Sequence, residues 1–138
     1  MKIYFAGSIR GGRDDADLYL EIIKYLKNFG EVLTEHVGDN LITSSGESSI
    51  NDTAIHNRDM DWLISSDIIV AEVTNPSLGV GYEIGRAIEY NKKIICLYRE
   101  SKRKRLSAMI SGSNKIINIK YADFDEFKLL INQYIKNI

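Results

Sequence analysis

The chain has 138 residues, of which 44% are hydrophobic and 27% charged, a composition typical of one soluble globular domain. Eighteen basic and nineteen acidic residues give a net charge of −1, so no overall charge draws the chain to a nucleic acid polymer or an anionic membrane. Any anion site must therefore be local, and no apolar run approaches the length of a membrane span.

Apolar runs rich in β-branched residues alternate with longer segments of helical period, which predicts a repeated strand–helix order. In the first half, residues 2–7 and 31–35 are predicted strands, and the helix between them ends near Gly30. The apolar stripe of that helix is Leu18, Ile22, Leu26 and Phe29. The polar segment 37–50 has no sustained period and is predicted to be a loop.

The second half continues the alternation. Predicted elements are a helix over 51–65, a strand over 67–73, a helix over 79–91, strands over 93–98 and 115–120, and a helix over 123–137. The last helix is expected to bury Phe124, Phe127, Leu130, Ile131 and Tyr134.

Five strands separated by helices predict a single doubly wound α/β domain over residues 1–138, Rossmann-like or flavodoxin-like. Its five-stranded parallel sheet is expected to have the order 2-1-3-4-5. Ligands bind such sheets at the carboxyl ends of the strands, so the loops after Ala6, Glu35 and Val73 are the places to search.

Two features indicate the compartment. The single cysteine, Cys96, lies in the apolar segment KIICLY and is interpreted as a small core residue, which fits a reducing environment. The first predicted strand begins at residue 2, so we expect no signal peptide and a cytoplasmic protein, or a nuclear one if the source is eukaryotic.

A glycine-rich loop, GSIRGGR, follows the first strand at residues 7–13. Its glycines permit a tight turn with exposed backbone N–H groups, and Ser8, Arg10 and Arg13 add donors just before a predicted helix. This arrangement suits a phosphate, although the loop matches neither the dinucleotide nor the triphosphate motif. A flexible turn with solvated arginines is the alternative, and the loop alone does not decide between them.

Asp59 lies on the apolar face of the helix predicted from Asn51, four residues after Ile55 and three before Trp62. An acid in that position is unfavourable unless it is paired, protonated or functional. We interpret it as a site residue that carries a proton, with a carboxylate bonded to a neighbouring loop as the alternative. Asp61 is rotated away from this face and is predicted to be a solvated charge.

The segment NPSLGVGYEIGRA, residues 75–87, places a glutamate where a glycine turn leads into a helix. We expect Glu83 to lie in the first helical turn, where the positive helix end keeps its carboxylate ionised. An ionised glutamate and a second acid near one pocket form the pair that retaining glycosidic chemistry uses: one attacks the anomeric carbon and the other handles the leaving-group proton. The alternative is that Glu83 only caps the helix electrostatically.

Two further polar residues lie near the predicted ligand edge of the sheet. His36 follows the second strand and could stack on a base or hold an oxygen, with a loop histidine of no such role as the alternative. Tyr4, in the first strand, needs a hydrogen-bond partner if it is buried, and a core tyrosine is the alternative. No role is assigned to His56, and the basic segment 101–105 is interpreted as a solvated turn.

Similarity to a known family is carried by the motifs IYFAGSIRGGR, VLTEHV, RDMDWLISSDIIVAEVTNPSLGVGYEIGRA, NKKIICLYR and LSAMI. Over most of residues 3–112 the chain closely resembles the 2′-deoxynucleoside 5′-phosphate N-hydrolases (Rcl type) of the nucleoside deoxyribosyltransferase superfamily. The resemblance implies that a homodimer hydrolyses the N-glycosidic bond of deoxynucleoside monophosphates, releasing the free base and 2-deoxyribose 5-phosphate.

The resemblance also implies roles for individual residues. Glu83 would be the nucleophile, Asp59 the acid/base group and Tyr4 the hydroxyl that orients the glutamate. Substrate binding would involve Gly7, Ser8, Ile9, Arg10, Gly11, Gly12, Arg13, Tyr19, His36, Ser77, Gly79, Ser107, Ala108 and Met109. Among these, His36 would face the base, and Ser107 would reach into the site from the partner subunit.

Two other functions stay open. One is a nucleoside 2-deoxyribosyltransferase acting on unphosphorylated nucleosides, and the other is a nucleotide-binding sensor without catalysis. Arg10, Ser77 and Ser107 favour the hydrolase, because a site for a bare 5′-hydroxyl gains little from an arginine and small donors. We expect neither a metal nor an organic cofactor, since the two histidines, one cysteine and scattered acids form no ligand cluster of recognised spacing.

Overall fold

The computed structural model describes residues 1–9, 15–39, 46–47, 49–100 and 105–138. One sheet contains the five strands β1 (Lys2–Ala6), β2 (Glu31–Val32), β3 (Ile68–Glu72), β4 (Lys93–Tyr98) and β5 (Ile117–Lys120). All neighbouring pairs run parallel in the order β2-β1-β3-β4-β5. This arrangement confirms the predicted fold class and strand order.

Helices connect the strands. They are α1 (Ala16–Leu26), α2 (Asp52–Ser65), α3 (Leu78–Glu89), α4 (Ala108–Ser111) and α5 (Phe124–Ile135), and a 3-10 turn (Glu35–Gly38) follows β2. The short helix α4 was not predicted from the sequence, because four residues are too few to show a helical period.

Strand β2 is shorter than the predicted 31–35, and Thr34 explains the difference. Its side-chain hydroxyl accepts the N–H of Phe5 over 2.8 Å and donates to the carbonyl of Phe5 over 2.6 Å. The side chain thus satisfies the two backbone groups of β1 that a longer β2 would pair, and the chain turns into the 3-10 helix instead.

The sheet has one apolar core on each face, because successive strand residues point to opposite sides. Ile3 and Phe5 pack towards α1 and α5, whereas Tyr4 and Ala6 pack towards α2 and α3. Cys96 is buried in the second core, as predicted, and burial raises the pKa of its thiol to about 12.

One predicted core residue of α5 is wrong. The buried stripe of α5 is Phe127, Ile131 and Ile135, spaced four residues apart, while the predicted Tyr134 is 38% exposed. Phe124 and Leu130 pack partly against this core. No helix within the described ranges has the length and apolar composition needed to cross a membrane.

Candidate active site

A cleft of about 530 Å³ opens at the carboxyl end of β1, between α2 and the start of α3. This is the edge of the sheet at which a ligand was expected. The lining residues are Gly7, Ile9, Gly46, Glu47, Asp52, Ile55, His56, Asp59, Ser77, Leu78, Gly79, Val80 and Glu83. The cleft therefore brings together six of the predicted site residues from three separate parts of the chain.

Tyr4 and Glu83 form the innermost polar contact of the site. Tyr4 is 1% exposed, and its hydroxyl donates to Oε1 of Glu83 over 2.6 Å. Burial, the nearby carboxylate of Glu83 and that of Asp59 all raise the pKa of Tyr4, so the tyrosine is a hydrogen-bond donor and not a base. The expectation that a buried Tyr4 needs a partner is confirmed, and the partner is the glutamate.

The expected electrostatics of Glu83 are wrong. Helix α3 begins at Leu78, with Ser77 as its cap, so Glu83 is the sixth helical residue and lies beyond the first turn. The favourable effect of a helix end fades within one turn. Burial of its carboxyl group instead raises the pKa of Glu83 to about 7. The hydrogen bond from Tyr4 lowers this pKa, and the nearby charge of Asp59 raises it further.

Asp59 has a cationic partner that the sequence interpretation missed. Arg58, its neighbour on α2, donates from Nε to Oδ1 of Asp59 over 2.9 Å, and its Nη2 lies 2.7 Å from the same oxygen. The half-buried carboxylate is therefore paired on its own helix and not with a neighbouring loop. Asp61 is exposed, as predicted.

His36 lies in the 3-10 turn and is not one of the cleft-lining residues, although its neighbour Glu47 is. Its Nε2 is 3.3 Å from Nη2 of Arg58 and 3.3 Å from Oε1 of Glu47, and its ring centroid is 5.7 Å from that of Trp62. The histidine thus contacts Glu47, which lines the cleft, and Arg58, which pairs with Glu47 and Asp59. Its predicted position facing a base stays a prediction.

His56, which was given no role, does line the cleft. Its Nε2 lies 2.9 Å from the hydroxyl of Tyr82 on α3. It occupies the position one turn before Asp59 and Met60 on α2, and that spacing was the only signal in the sequence for its place beside the site.

The first two residues of the glycine-rich loop, Gly7 and Ser8, are buried. The N–H of Ser8 donates to the hydroxyl of Tyr19 over 3.3 Å, and a Cβ on Gly7 would lie 2.9 Å from the Tyr19 ring, so only glycine fits there. Tyr19, implied as a substrate contact, is fully buried and supports the loop from beneath. Arg10, Gly11, Gly12 and Arg13 lie outside the described residues.

Ser77 and Gly79 border the cleft where α3 begins. The side chain of Ser77 accepts the N–H of Val80 over 3.3 Å and thereby caps the helix. The first amides of a helix have no partners inside it, so this end of the cleft offers donors to an anion.

A buried polar network ties together the loops around that end of the cleft. Oδ2 of Asp15, just before α1, accepts a hydrogen bond from Asn75 over 3.0 Å and forms an ion pair with Arg99, just after β4. Burial raises the pKa of the nearby Glu72 carboxyl, which accepts hydrogen bonds from Thr74 and Tyr121. Long-range pairs of this kind leave no periodic signal in the sequence.

Ser107, Ala108 and Met109 lie outside the cleft of their own chain. Ser107 caps α4, and Ser107 and Met109 border a second groove of about 510 Å³. The two cavities share Ser77, Leu78 and Val80. Among the described residues, no group of three or more histidines, cysteines or acids is arranged to hold a metal ion, and the predicted independence from cofactors stays a prediction.

The fold and this site define an α/β protein with a carboxylate-based centre at the ligand edge of its parallel sheet. The profile of the nucleoside 2-deoxyribosyltransferase family matches residues 3–132, and the chain belongs to that family. This match confirms the superfamily that the sequence motifs resemble.

Relatives of known name span the whole chain. A 5-hydroxymethyl-dUMP N-hydrolase from Tetraodon nigroviridis is 50% identical over 99% of this chain and 99% of its own length. A protein from Nematostella vectensis, provisionally named 2′-deoxynucleoside 5′-phosphate N-hydrolase 1, is 54% identical over 95% of this chain and 92% of its own length. The solved structure of a CMP N-glycosidase from Clostridium botulinum shares the fold, with a TM-score of 0.70, 21% identity, and coverage of 97% and 99% of the two chains.

Proposed function

We propose that this protein hydrolyses the N-glycosidic bond of 2′-deoxynucleoside 5′-monophosphates, releasing the free base and 2-deoxyribose 5-phosphate. The observation that carries the proposal is the 2.6 Å hydrogen bond from Tyr4 to Glu83 at the base of a cleft that Asp59 also lines. The names of relatives about 50% identical over nearly their whole length support the same chemistry.

In the proposed first step, a carboxylate oxygen of Glu83 forms a bond to C1′ of the deoxyribose. The bond between C1′ and the base nitrogen breaks, and its electron pair leaves with the base. The hydrogen bond from Tyr4 to Oε1 keeps the glutamate carboxylate oriented towards C1′. Asp59 delivers the proton that the departing base needs.

In the second step, water attacks C1′ and the bond from C1′ to Glu83 breaks, which regenerates the free carboxylate. Asp59, now a carboxylate, accepts the proton from water. The configuration at C1′ is retained because it is inverted twice.

The 5′-phosphate is proposed to bind where the glycine-rich loop meets the start of α3. Gly7, Ile9, Ser77 and Gly79 border that part of the cleft. Arg10 and Arg13 supply the positive charge that such a phosphate requires. A bare nucleoside lacks these interactions and should bind more weakly.

A homodimer is part of this proposal, with Ser107 entering the site of the partner subunit. Leu78 is 96% exposed and Met109 is 82% exposed, and both border the second groove together with Ser107. Such apolar exposure on adjoining segments favours a protein interface at the mouth of the cleft.

A substrate panel tests the proposal against its rivals. The protein is incubated with the four common deoxynucleoside monophosphates and 5-hydroxymethyl-dUMP, with the matching nucleosides and ribonucleotides, and free base is measured. Release from the deoxynucleoside monophosphates alone supports the hydrolase. Exchange of a nucleoside base for an added free base would instead identify the transferase, and binding without release would identify a sensor.

The covalent step has its own test. A slow substrate, such as a 2′-fluorinated arabinonucleotide, is incubated with the protein, and the modified peptide is located by mass spectrometry. A sugar phosphate adduct on Glu83 is expected, and it should be absent from Glu83→Gln. An adduct on another residue, or rapid turnover by Glu83→Ala, would overturn the assignment of the nucleophile.

A further inference from the structure

Arg58 joins two carboxylates on one wall of the cleft. Its Nη1 and Nη2 donate to Oε2 and Oε1 of Glu47 over 2.9 and 2.7 Å, a bidentate pair. The same guanidinium contacts Oδ1 of Asp59 through Nε and Nη2. All three nitrogens of the group are therefore engaged with side chains that belong to the cleft.

The plane of this guanidinium is fixed from one side. Its central carbon lies 4.7 Å from the ring centroid of Trp62, one turn further along α2. An arginine held flat on an aromatic ring and forked on a carboxylate has few orientations left. The Arg58 hydrogen bonds also hold the pKa of the Glu47 carboxyl below its ordinary value, so the pair stays charged at neutral pH.

These contacts restrain the proposed acid/base group. A carboxylate on a surface helix normally samples several rotamers, and each departure from a productive geometry slows proton transfer. Arg58 takes one oxygen of Asp59 and so restricts rotation of that carboxylate. Through Glu47 it also ties the segment containing Gly46 and Glu47 to α2, which closes one side of the cleft.

We propose that Arg58 is a positioning residue. It orients the Asp59 carboxylate towards the bound sugar, and it anchors the segment with Gly46 and Glu47 to α2. The inference rests on the proposed function, because it assigns Arg58 an effect on the reaction through Asp59.

The decisive experiment is a double-mutant cycle. Arg58→Gln is expected to lower kcat by roughly 10- to 100-fold, since misplacement of a catalytic group by about an ångström has effects of that size. In the Asp59→Asn background the same change should lower kcat less than about twofold, because no proton-donating carboxyl remains for Arg58 to orient. Equal losses in both backgrounds, or unchanged kcat in Arg58→Gln, would overturn the proposal.

Two further variants serve as a conservative substitution and a control for the double-mutant cycle. Arg58→Lys keeps the charge and loses the fork, so it should recover only part of the lost kcat. Lys128→Gln is the matched control, because Lys128 also pairs with an acid, Asp125, and lies over an aromatic ring, Phe124, but on α5 across the sheet. It should leave kcat unchanged. Full recovery by Arg58→Lys would argue against orientation by the fork.

The chain provides a readout that does not depend on activity. Trp62 is its only tryptophan, so intrinsic fluorescence reports on the ring that Arg58 covers. The emission spectrum should change in Arg58→Gln, provided circular dichroism shows that the fold is kept, and not in Lys128→Gln. Glu47→Gln, which leaves Arg58 in place but weakens its anchor, is the second variant and should shift the emission in the same direction.

The two hypotheses fail in different ways. If the wild-type protein releases no base from any substrate while the Trp62 emission responds as expected, the proposed function fails and the cluster exists without the proposed use. If base is released but the cycle shows independent losses, the function stands and the positioning role of Arg58 is wrong. An unchanged Trp62 spectrum in both Arg58→Gln and Glu47→Gln would contradict the cluster itself.

Discussion

The hydroxyl of Tyr4, in the middle of β1, donates a hydrogen bond to Oε1 of Glu83, on α3, over 2.6 Å. The two residues are 79 positions apart in the chain, and the hydrogen bond joins the sheet to the helix beside it. The short distance marks a charge-assisted contact when the glutamate is ionised. It orients the carboxylate and favours its charged form.

Tyr4→Phe should therefore slow the reaction and shift its pH dependence. The ring still fills its place in the core, so the fold should persist, while kcat falls by about 10- to 100-fold through loss of orientation. Because the hydrogen bond from Tyr4 lowers the pKa of Glu83, its removal should move the acid limb of kcat/KM to higher pH. A lower rate with an unshifted limb would show that Tyr4 does not act on the ionisation of the glutamate.

The pH profile of the wild-type protein follows from the same carboxyl group. A nucleophilic carboxylate must be ionised, and burial raises the pKa of Glu83 to about 7. We expect kcat/KM to rise with pH along a limb centred near pH 7, whereas a solvated glutamate would place that limb near its ordinary pKa of 4.5. Initial rates measured from pH 4.5 to 9 at constant ionic strength test this. A rate already constant above pH 5 would contradict it.

Burial of Glu83 should also lower stability at high pH. Its pKa is raised in the folded state, so the unfolded chain loses the proton first as the pH rises from about 4.5 to about 7, and the folded state is disfavoured over that window. Glu83→Gln removes this ionisation but still accepts the hydrogen bond from Tyr4. We expect the variant to be more stable than the wild type by about 1–3 kcal/mol at pH 8.

The difference in the free energy of unfolding between Glu83→Gln and the wild type should vanish near pH 4, where both side chains at position 83 are neutral. Urea unfolding at the two pH values measures it. Glu89→Gln is a suitable control, because Glu89 is exposed at the end of the same helix. A variant less stable than the wild type at pH 8 would show that the carboxylate of Glu83 is stabilised in the fold.

The architecture could be predicted because it depends on local periods. Strand β4 was predicted with its observed bounds, since KIICLY is a short apolar run between polar residues, and α2 was predicted within one residue of its start at Asp52. The error on Glu83 came from tertiary structure. Its pKa depends on burial by residues that are distant in sequence, whereas the sequence argument considered only the helix end.

Contacts in the site between side chains from separate segments could not be predicted from local sequence patterns. The contact between Tyr4 and Glu83 was expected only through the family resemblance. Arg58 was missed because its partner Glu47 lies in a segment without periodicity, so no spacing rule links the two. Asp59, by contrast, stood out because a carboxylate on an apolar stripe violates the pattern of its own helix.

The proposed proton-transfer role of Asp59 predicts a dependence on the leaving group. Asp59→Asn should be severe for substrates whose base leaves poorly and milder for substrates whose base is a good leaving group, because the latter need less proton donation. Rates for a series of substituted uracil deoxynucleotides measure how the loss of activity in Asp59→Asn varies with the leaving ability of the base. Asp61→Asn, an exposed acid on the same helix, should behave as the wild type. Equal losses across the series would place Asp59 in binding or structure instead.

The proposed dimer makes a prediction about shared sites. Ser107 lies on an exposed segment outside the cleft of its own chain, beside the exposed Met109. If Ser107 completes the site of the partner subunit, Ser107→Ala should raise KM for a monophosphate, and Glu83→Gln should abolish turnover. Mixing the two inactive or weakened homodimers and allowing subunits to exchange should restore activity. One site of each heterodimer then combines the intact Glu83 of one chain with the intact Ser107 of the other.

The mixing experiment separates an interaction between subunits from one within a chain. If Ser107 served its own chain, every mixed dimer would lack either the glutamate or the serine at each site, and mixing would restore nothing. Light scattering on the same samples should give about twice the 15.7 kDa mass of the chain. A monomer at micromolar concentration with full activity would rule out the shared site, and the exposed Leu78 and Met109 would then need another explanation.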